Sequence, residues 1–162
     1  MNRFEIATVP VGPGRIGICP VPGGAGDYLA DLTALLAWKP ALVLTMLTEA
    51  ELVRAGAAGL PSDLALRDIG WRHLPVMDFA AGSDALAARW TGASEEALAL
   101  LAAGAGVLVH CRGGCGRSGM AALRLMVEAG EDGVAALARL REMRPCAVET
   151  EAQMAWALAP QS

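Results

Sequence analysis

A short apolar strand that leads directly into a glycine-rich turn is the feature that most constrains this chain. Residues 107–109 are Val-Leu-Val, and residues 110–119 read His-Cys-Arg-Gly-Gly-Cys-Gly-Arg-Ser-Gly. An apolar run of this length is typical of a buried strand, and the residues from Ser118 onward have the pattern of a helix. Because glycine allows a tightly curved backbone, the turn can direct its N–H groups inward. The sequence therefore predicts a strand, an anion-binding loop and a helix, in that order.

The side chains of this turn indicate nucleophilic chemistry. Cys111 follows the predicted strand, where loop amides and the positive end of the next helix favour a thiolate near neutral pH. Arg117 offers a planar pair of donors to two oxygens of a tetrahedral oxyanion. Ser118 can donate its hydroxyl to the Cys111 sulfur and make that sulfur a better leaving group. The loop residues expected to contact the substrate are Arg112, Gly113, Gly114, Cys115, Gly116 and Arg117.

The Cys-x5-Arg-Ser pattern of residues 111–118 resembles the signature of the cysteine-dependent protein tyrosine and dual-specificity phosphatases. Segments 16–23, 73–78 and 144–150 are similar, in the same order, to segments of the kinase-associated phosphatase branch of that family. The resemblance implies an α/β fold, with a single central, twisted, mostly parallel sheet flanked by helices. It also implies one dual-specificity phosphatase-like catalytic domain over residues 1–162.

The same resemblance implies the reaction, which is hydrolysis of a phosphomonoester through a phosphocysteine intermediate. The implied substrate is a phosphoprotein or phosphopeptide carrying phosphotyrosine, with phosphoserine and phosphothreonine as further candidates. No metal or organic cofactor is expected, because arginine and backbone dipoles supply the electrostatic stabilisation of the transition state.

Four residues outside the core motif are candidates for further roles. The leaving oxygen needs a proton from a carboxylic acid; Asp78, in a segment that looks like the family's acid-bearing loop, is the first candidate. Asp84 is the alternative, although it also suits the start of a helix. In the family pattern the histidine before the nucleophile orients the loop, which assigns that role to His110. Gln153 is an auxiliary that would orient water, but its spacing from Thr150 equally predicts a capping box.

Two other interpretations of the loop fit less well. A nucleoside-triphosphate loop would need glycine and lysine where this chain has Cys111 and Arg117. A zinc site formed by His110, Cys111, Cys115 and His73 lacks the paired ligand spacing of such sites. A phosphate-binding interaction module without turnover and a rhodanese-like sulfurtransferase stay open as alternative functions, although Asp78 together with Ser118 favours hydrolysis.

The local context of the remaining cysteines indicates their roles. Cys19 and Cys146 are expected to be small apolar packing residues. Cys115 either fills space under the loop or forms a reversible disulfide with Cys111. Four cysteines are few for a disulfide scaffold, and a cysteine nucleophile needs a reducing compartment. Because the first residues also lack the profile of a secretory signal, we expect a cytoplasmic protein.

Length and charge exclude several partner classes. The 162 residues fit one domain. The net charge is −4 and Lys39 is the sole lysine, so no basic patch suggests binding to nucleic acid or to a membrane surface. No uncharged apolar stretch is long enough to cross a bilayer. We expect a monomer.

Apolar periodicity and turn residues predict the elements of the fold. Strands are expected at 4–9, 15–19, 41–46, 71–74 and 106–110. Helices are expected at 27–38, after the capping box 48–51, from 61 to 70, and at 84–90, 94–103, 118–129, 133–143 and 150–158.

Overall fold

The structure, a computed structural model, describes residues 3–159. Its strands are β1 (Ala7–Val11), β2 (Gly14–Cys19), β3 (Leu42–Thr45), β4 (Gly70–His73) and β5 (Gly106–His110). Its helices are α1 (Tyr28–Trp38), α2 (Glu49–Arg54), α3 (Leu60–Ala65), α4 (Asp84–Ala102), α5 (Gly116–Glu128), α6 (Gly133–Met143) and α7 (Glu151–Ala157).

The strands form one sheet in the order β1-β2-β5-β3-β4. Only the β1–β2 pair is antiparallel; β2, β5, β3 and β4 pair in parallel. The predicted single, mostly parallel sheet flanked by helices is therefore confirmed. Because β5 is the central strand, its carboxyl end lies in the middle of the sheet edge, where ligands bind in open α/β folds. Cys111 is the first residue beyond that end.

Helices cover both faces of the sheet, which explains why every residue of β5 is buried. On one face Val107 and Val109 belong to a large apolar cluster with α4 and α5, to which Trp90 and Leu123 contribute. On the other face Leu108 packs in a smaller cluster that includes residues of α1. The central strand is thus held on both sides, and the loop that follows it starts from a rigid position.

The strand expected at 4–9 is at Ala7–Val11, and the largest difference from the sequence-based prediction concerns a helix. The two helices expected at 84–90 and 94–103 are a single helix, α4. Gly92 lies between the two expected helices, but the buried positions Trp90, Ala93 and Ala97 continue one face of the helix across it. Packing of that face outweighs the cost of one interior glycine, which is about 1 kcal/mol. Of the helices described, none combines the length and apolarity needed to cross a bilayer.

Candidate active site

The loop after β5 encloses the Cys111 side chain. Cys111 is 3% exposed, and its Sγ lies 3.3 Å from Ser118 Oγ at the start of α5. Gly114 has a φ of +72°, and a Cβ at this position would lie 2.7 Å from the Cys19 carbonyl carbon. A residue with a side chain would collide with β2 there, so the close turn depends on glycine. The thiol and the hydroxyl expected to act on it are in contact.

Arg144 holds the outer side of this loop. Its Nε donates to the Gly114 carbonyl and its Nη2 to the Gly113 carbonyl, each at 2.9 Å. In a trans peptide the N–H group points in the opposite direction to the C=O group. Because these two carbonyls point towards Arg144, the N–H groups of the same two peptides point away from it. Residues 144–150 form one of the segments similar to the family, and Arg144 connects that segment to the loop.

A disulfide that the sequence analysis did not predict ties the loop to the connection between α6 and α7. It joins Cys115 to Cys146, with 5.1 Å between their Cα atoms. The interpretation of Cys146 as an apolar packing residue is therefore wrong, and Cys115 pairs with Cys146 instead of Cys111. Local spacing could not indicate this pair, since 31 residues separate the two positions.

The other two cysteines are free and buried. Cys19 is fully inaccessible, as expected of a packing residue, and burial raises the pKa of its thiol. Cys111 thus has its sulfur inside the loop without a disulfide partner.

Arg117 is buried, and its guanidinium is bound on two sides. Its Nη1 and Nη2 donate to the two carboxylate oxygens of Glu51 at 2.7 and 2.8 Å. Nη1 also donates to the Val76 carbonyl at 2.7 Å, and Nη2 lies 3.4 Å from Asp78 Oδ1. This geometry fixes the plane of the guanidinium beside the loop.

Glu51 is a site residue that the sequence analysis missed. The predicted capping box with Thr48 is present at the start of α2, and this local explanation concealed the longer-range contact with Arg117. Hydrogen bonds from Arg117 hold the pKa of Glu51 at about 2, below its ordinary 4.5, although burial opposes the shift. The pair is therefore ionised under all ordinary conditions.

Asp78 lies at the mouth of the site on the segment between β4 and α4. Its Oδ2 accepts a hydrogen bond from Arg112 Nη2 at 3.0 Å, and its Oδ1 accepts one from the Phe79 N–H at 3.1 Å. Asp84, the alternative acid, is instead the first residue of α4, next to the helix cap formed by Ser83. The structure brings Asp78 to the loop and leaves Asp84 on the helix.

The start of α7 contacts both sides of the site. Gln153 forms the predicted capping box with Thr150, and its Nε2 donates to the Ala80 carbonyl, 3.2 Å away. Glu149, which the sequence analysis did not single out, accepts a hydrogen bond from the Gly116 N–H at 2.9 Å. The sequence predicted that Gly116 would contact the substrate, but its N–H group is already bonded to Glu149.

His110 and His73 lie behind the site. His110 is fully buried; burial, reinforced by the charges of His73 and Arg117, lowers its pKa to about 3, so its imidazole is neutral at physiological pH. Its Nε2 lies 2.6 Å from Thr45 Oγ1. His73 has the structural role expected of it, with Nε2 2.8 Å from the Leu47 carbonyl oxygen.

A cavity of about 350 Å³ adjoins the loop. Both signs of charge line it: Arg54 and Arg112 are cationic, while Asp31 and Glu51 are anionic. Within residues 3–159, no three His, Cys, Asp or Glu side chains are grouped so that they could hold a metal ion. The zinc ligand set considered from the sequence is therefore not assembled.

Similar solved structures identify the fold of this chain. The chain is similar to kinase associated phosphatase carrying a serine in place of its catalytic-site cysteine, with a TM-score of 0.83 and 21% identity over 96% of this chain and 92% of that chain. It is similar to Tk-PTP in the active form, with a TM-score of 0.66 and 28% identity over 87% of each chain. For human DUSP28 the TM-score is 0.67 and the identity 17%, over 97% of this chain and 94% of that one. The fold is that of the cysteine-dependent tyrosine and dual-specificity phosphatases.

The sequence places the chain within that class. The model of the PTP-SAK family, described as Swiss Army Knife protein, DSP-PTPase phosphatase domain, matches residues 25–156. The chain therefore belongs to this family and is a cysteine-dependent phosphatase. A search of curated protein sequences finds no match.

Proposed function

We propose that this protein hydrolyses phosphomonoesters on phosphoproteins through a phosphocysteine formed at Cys111. The observation that carries the proposal is that four groups with complementary chemistry lie together at the loop after β5. These are the enclosed Cys111 thiol, the Ser118 hydroxyl 3.3 Å from it, the bound Arg117 guanidinium, and the Asp78 carboxyl 3.4 Å from that guanidinium.

In the first step the Cys111 thiolate attacks phosphorus. The S–P bond forms as the ester P–O bond breaks, and Asp78 gives its proton to the departing oxygen. Arg117 and the loop amides stabilise the oxygens that share the developing charge. Because Glu51 fixes the guanidinium before substrate arrives, little reorganisation is needed during the reaction.

In the second step water attacks phosphorus and the S–P bond breaks. Asp78, now a carboxylate, accepts the proton of that water, and Ser118 donates to the departing sulfur. We assign Gln153 to holding the acid-bearing segment through Ala80, since its side-chain oxygen already accepts from the backbone N–H groups of Glu149 and Thr150, just before α7. Gln153 is thus proposed as a positioning residue for the acid-bearing segment. The role in orienting water that the family resemblance implies for Gln153 stays a prediction.

A protein substrate is favoured by the surroundings of the loop. The exposed side chains of Met77 and Phe79 flank Asp78, and the neighbouring cavity presents both charges and apolar walls. Such a surface suits a peptide with mixed side chains better than a polyanionic headgroup, which would call for further cations. We propose phosphotyrosine as the first substrate to test, with phosphoserine and phosphothreonine next.

We also propose one catalytic domain over residues 1–162, acting as a monomer in the cytoplasm without nucleic-acid or membrane partners. The Cys115–Cys146 disulfide bears on this location, because stable disulfides are rare in reducing compartments. In such a compartment we expect the bridge to form only transiently.

The test is hydrolysis of p-nitrophenyl phosphate by the wild type and by Cys111→Ser, followed by a phosphopeptide panel. Wild-type turnover that survives EDTA and is lost in Cys111→Ser supports the proposal. Binding of phosphopeptides without turnover by the wild type, or transfer of sulfur from thiosulfate in place of hydrolysis, would overturn it.

A further inference from the structure

The cavity of about 350 Å³ beside the catalytic loop is formed mainly by the segment after β2, by α1 and by α2. Two of its lining residues also belong to the site. Arg112 follows the nucleophile, and Glu51 binds the Arg117 guanidinium through both carboxylate oxygens. The Val21 N–H donates to the Arg112 carbonyl at 3.2 Å, so the cavity wall and the loop are joined. A substrate whose phosphate lies on the loop would place its neighbouring groups at this cavity.

Four charged side chains line the cavity, and three of them already have partners. Glu51 and Arg112 form the ion pairs of the site. Asp31 Oδ2 accepts a hydrogen bond from the Gly23 N–H at 2.8 Å. The fourth is Arg54, in the last turn of α2. Within residues 3–159 its side chain makes no hydrogen bond or ion pair, so it is the charged group of the cavity that is free to bind a ligand.

The position of Arg54 suits a ligand that also reaches the loop. Glu51 and Arg54 are three residues apart on α2, so their side chains are neighbours along the helix, and both line the cavity. Arg54 is exposed, so a ligand can approach its guanidinium from solvent. Apolar walls are provided by Phe4, Pro20 and Val21. The cavity therefore combines one free cation with surfaces that can pack against a hydrocarbon stem.

The chemistry of the ligand follows from this combination. A guanidinium matches the planar geometry of a carboxylate and can bind both of its oxygens. A second phosphate group would carry about −1.5 to −2 charge at pH 7, which one free cation does not balance, and Asp31 and Glu51 would repel it. A carboxylate on an alkyl stem brings a single charge and also packs on the apolar walls. Glutamate has both of these properties.

We propose that this cavity is a specificity site, in which Arg54 binds the carboxylate of a glutamate close in sequence to the phosphorylated residue of the substrate. The proposal rests on the proposed function, because it names a feature of that substrate. Arg54 contacts a part of the peptide that does not react. Its effect should therefore appear in kcat/KM for peptides and be absent for a substrate too small to reach the cavity.

The test compares phosphotyrosine peptides that differ in one side chain. Glutamate, glutamine, lysine or phosphoserine is placed in turn at each position flanking the phosphotyrosine, and tyrosine fluorescence reports its dephosphorylation. At one position the wild type should prefer glutamate to glutamine by about fivefold in kcat/KM, the upper value for an exposed ion pair. The preference should decrease at high salt. The absence of any preference, or a preference for lysine or phosphoserine over glutamate, would overturn the proposal.

Variants show whether Arg54 sets the preference. Arg54→Gln should abolish it, Arg54→Glu should reverse it in favour of the lysine peptide, and Arg54→Lys should retain part of it. Arg67→Gln is the matched control, because Arg67 is also exposed but does not line this cavity; its loss should leave the preference unchanged. If Arg54 only stabilised α2, Arg54→Gln would slow all peptides equally and keep their ratio, which would overturn the proposal.

Two readouts separate this proposal from the proposed function. Wild type and Arg54→Gln should hydrolyse p-nitrophenyl phosphate with equal kcat/KM, since this substrate has no group beyond its ring. Turnover of this substrate without a peptide preference would overturn the specificity site alone. Absence of all turnover would overturn the proposed function, and binding of the same peptides to Cys111→Ser, measured by fluorescence anisotropy, would then decide the specificity site. Tighter binding of the glutamate peptide would support it, and equal binding of the glutamate and glutamine peptides would overturn it.

Discussion

The two segments that face each other across the site are held very differently. The phosphate loop, residues 111–117, is enclosed: Cys111 and Arg117 are 3% and 2% exposed, a disulfide fixes Cys115, and Arg144 binds two of its carbonyls. The acid loop, residues 77–83, is open. Met77 and Phe79 on either side of Asp78 are 70% and 58% exposed.

The backbone of the acid loop shows the same contrast. Phe79 has a φ of +62°, a conformation that residues with side chains rarely adopt. The loop is anchored at its far end, where Gly82 packs directly on the Trp156 ring and Ala80 accepts from Gln153. Its tip is held mainly by the contacts of Asp78 with two arginines.

The difference matches the tasks that we propose for the two loops. Groups that stabilise developing charge work best when they are fixed in advance. A proton donor must instead admit the substrate and release the product, for which a loop with a weakly held tip is suited. The following predictions test this division, from the largest expected effect on turnover to the smallest.

Asp78→Asn should show the largest effect. Loss of the proton donor should slow hydrolysis of a phosphotyrosine peptide by ~10²–10⁴-fold and flatten the pH–rate profile measured by steady-state kinetics. Asp84→Asn is the matched control and should behave like the wild type. If Asp84→Asn were the slower variant, the acid would lie on α4 and the comparison between the two loops would fail.

Glu51→Gln should destabilise the phosphate loop, because Glu51 binds the Arg117 guanidinium. Removing one partner of a buried ion pair costs about 3–5 kcal/mol, so we expect a lower free energy of unfolding in urea and a loss of turnover of about 10²-fold. Glu49→Gln, an exposed neighbour on α2, is the control. Equal stability of the two variants would show that Glu51 does not hold Arg117.

The same variant has a defined pH signature. Because Arg117 holds the pKa of Glu51 at about 2 in the folded state, against an ordinary 4.5, this carboxylate stabilises the fold fully above pH 4.5, and the stabilisation is lost as the pH falls towards 2. Acid unfolding followed by circular dichroism should therefore be less steep over this range in Glu51→Gln. An identical profile in the two proteins would contradict the ion pair.

Gly82→Ala should have an intermediate effect on turnover. A Cβ there would lie 2.3 Å from Cδ1 of Trp156, so the acid loop must shift, and we expect about a tenfold loss of kcat as part of the general-acid contribution disappears. Gly92→Ala, where nothing lies within 4 Å of the added atom, is the control. A wild-type kcat in Gly82→Ala would mean that the acid loop needs no anchor at α7.

Cys146→Ser should affect turnover least, at about threefold or below, because Arg144 and the Arg117–Glu51 pair still hold the phosphate loop. A disulfide of this kind contributes about 2–4 kcal/mol of stability, so thermal unfolding without reductant should occur at a lower temperature. Reductant should bring the wild type to the level of the variant. Adding Cys115→Ser should cause no further loss; a further loss would mean that Cys115 stabilises the loop by another contact.

Much of the site could be predicted from sequence because its central groups are close together along the chain. The strand, the glycine turn and the start of α5 follow one another within residues 106–118, so Cys111, Ser118 and Arg117 share one loop whatever surrounds it. Local patterns also indicated most helices and strands, and Asp78 was found through its similarity to an acid-bearing segment. The break predicted within α4 is absent, because the buried face of the helix continues across Gly92.

The sequence by itself determined the nucleophilic loop and the class of fold, since both depend on short-range periodicity and on residue types with restricted chemistry. Only the tertiary structure decided what holds that loop. Glu51 lies 66 residues from Arg117, Cys146 lies 31 residues from Cys115, and Thr45 meets His110 because β3 and β5 are neighbours in the sheet. Each of these partners also has a sufficient local explanation, as a helix cap, a packing residue or a strand residue. These long-range contacts cannot be predicted from local patterns, because they form only when folding brings distant segments to the edge of the sheet where the parallel strands end.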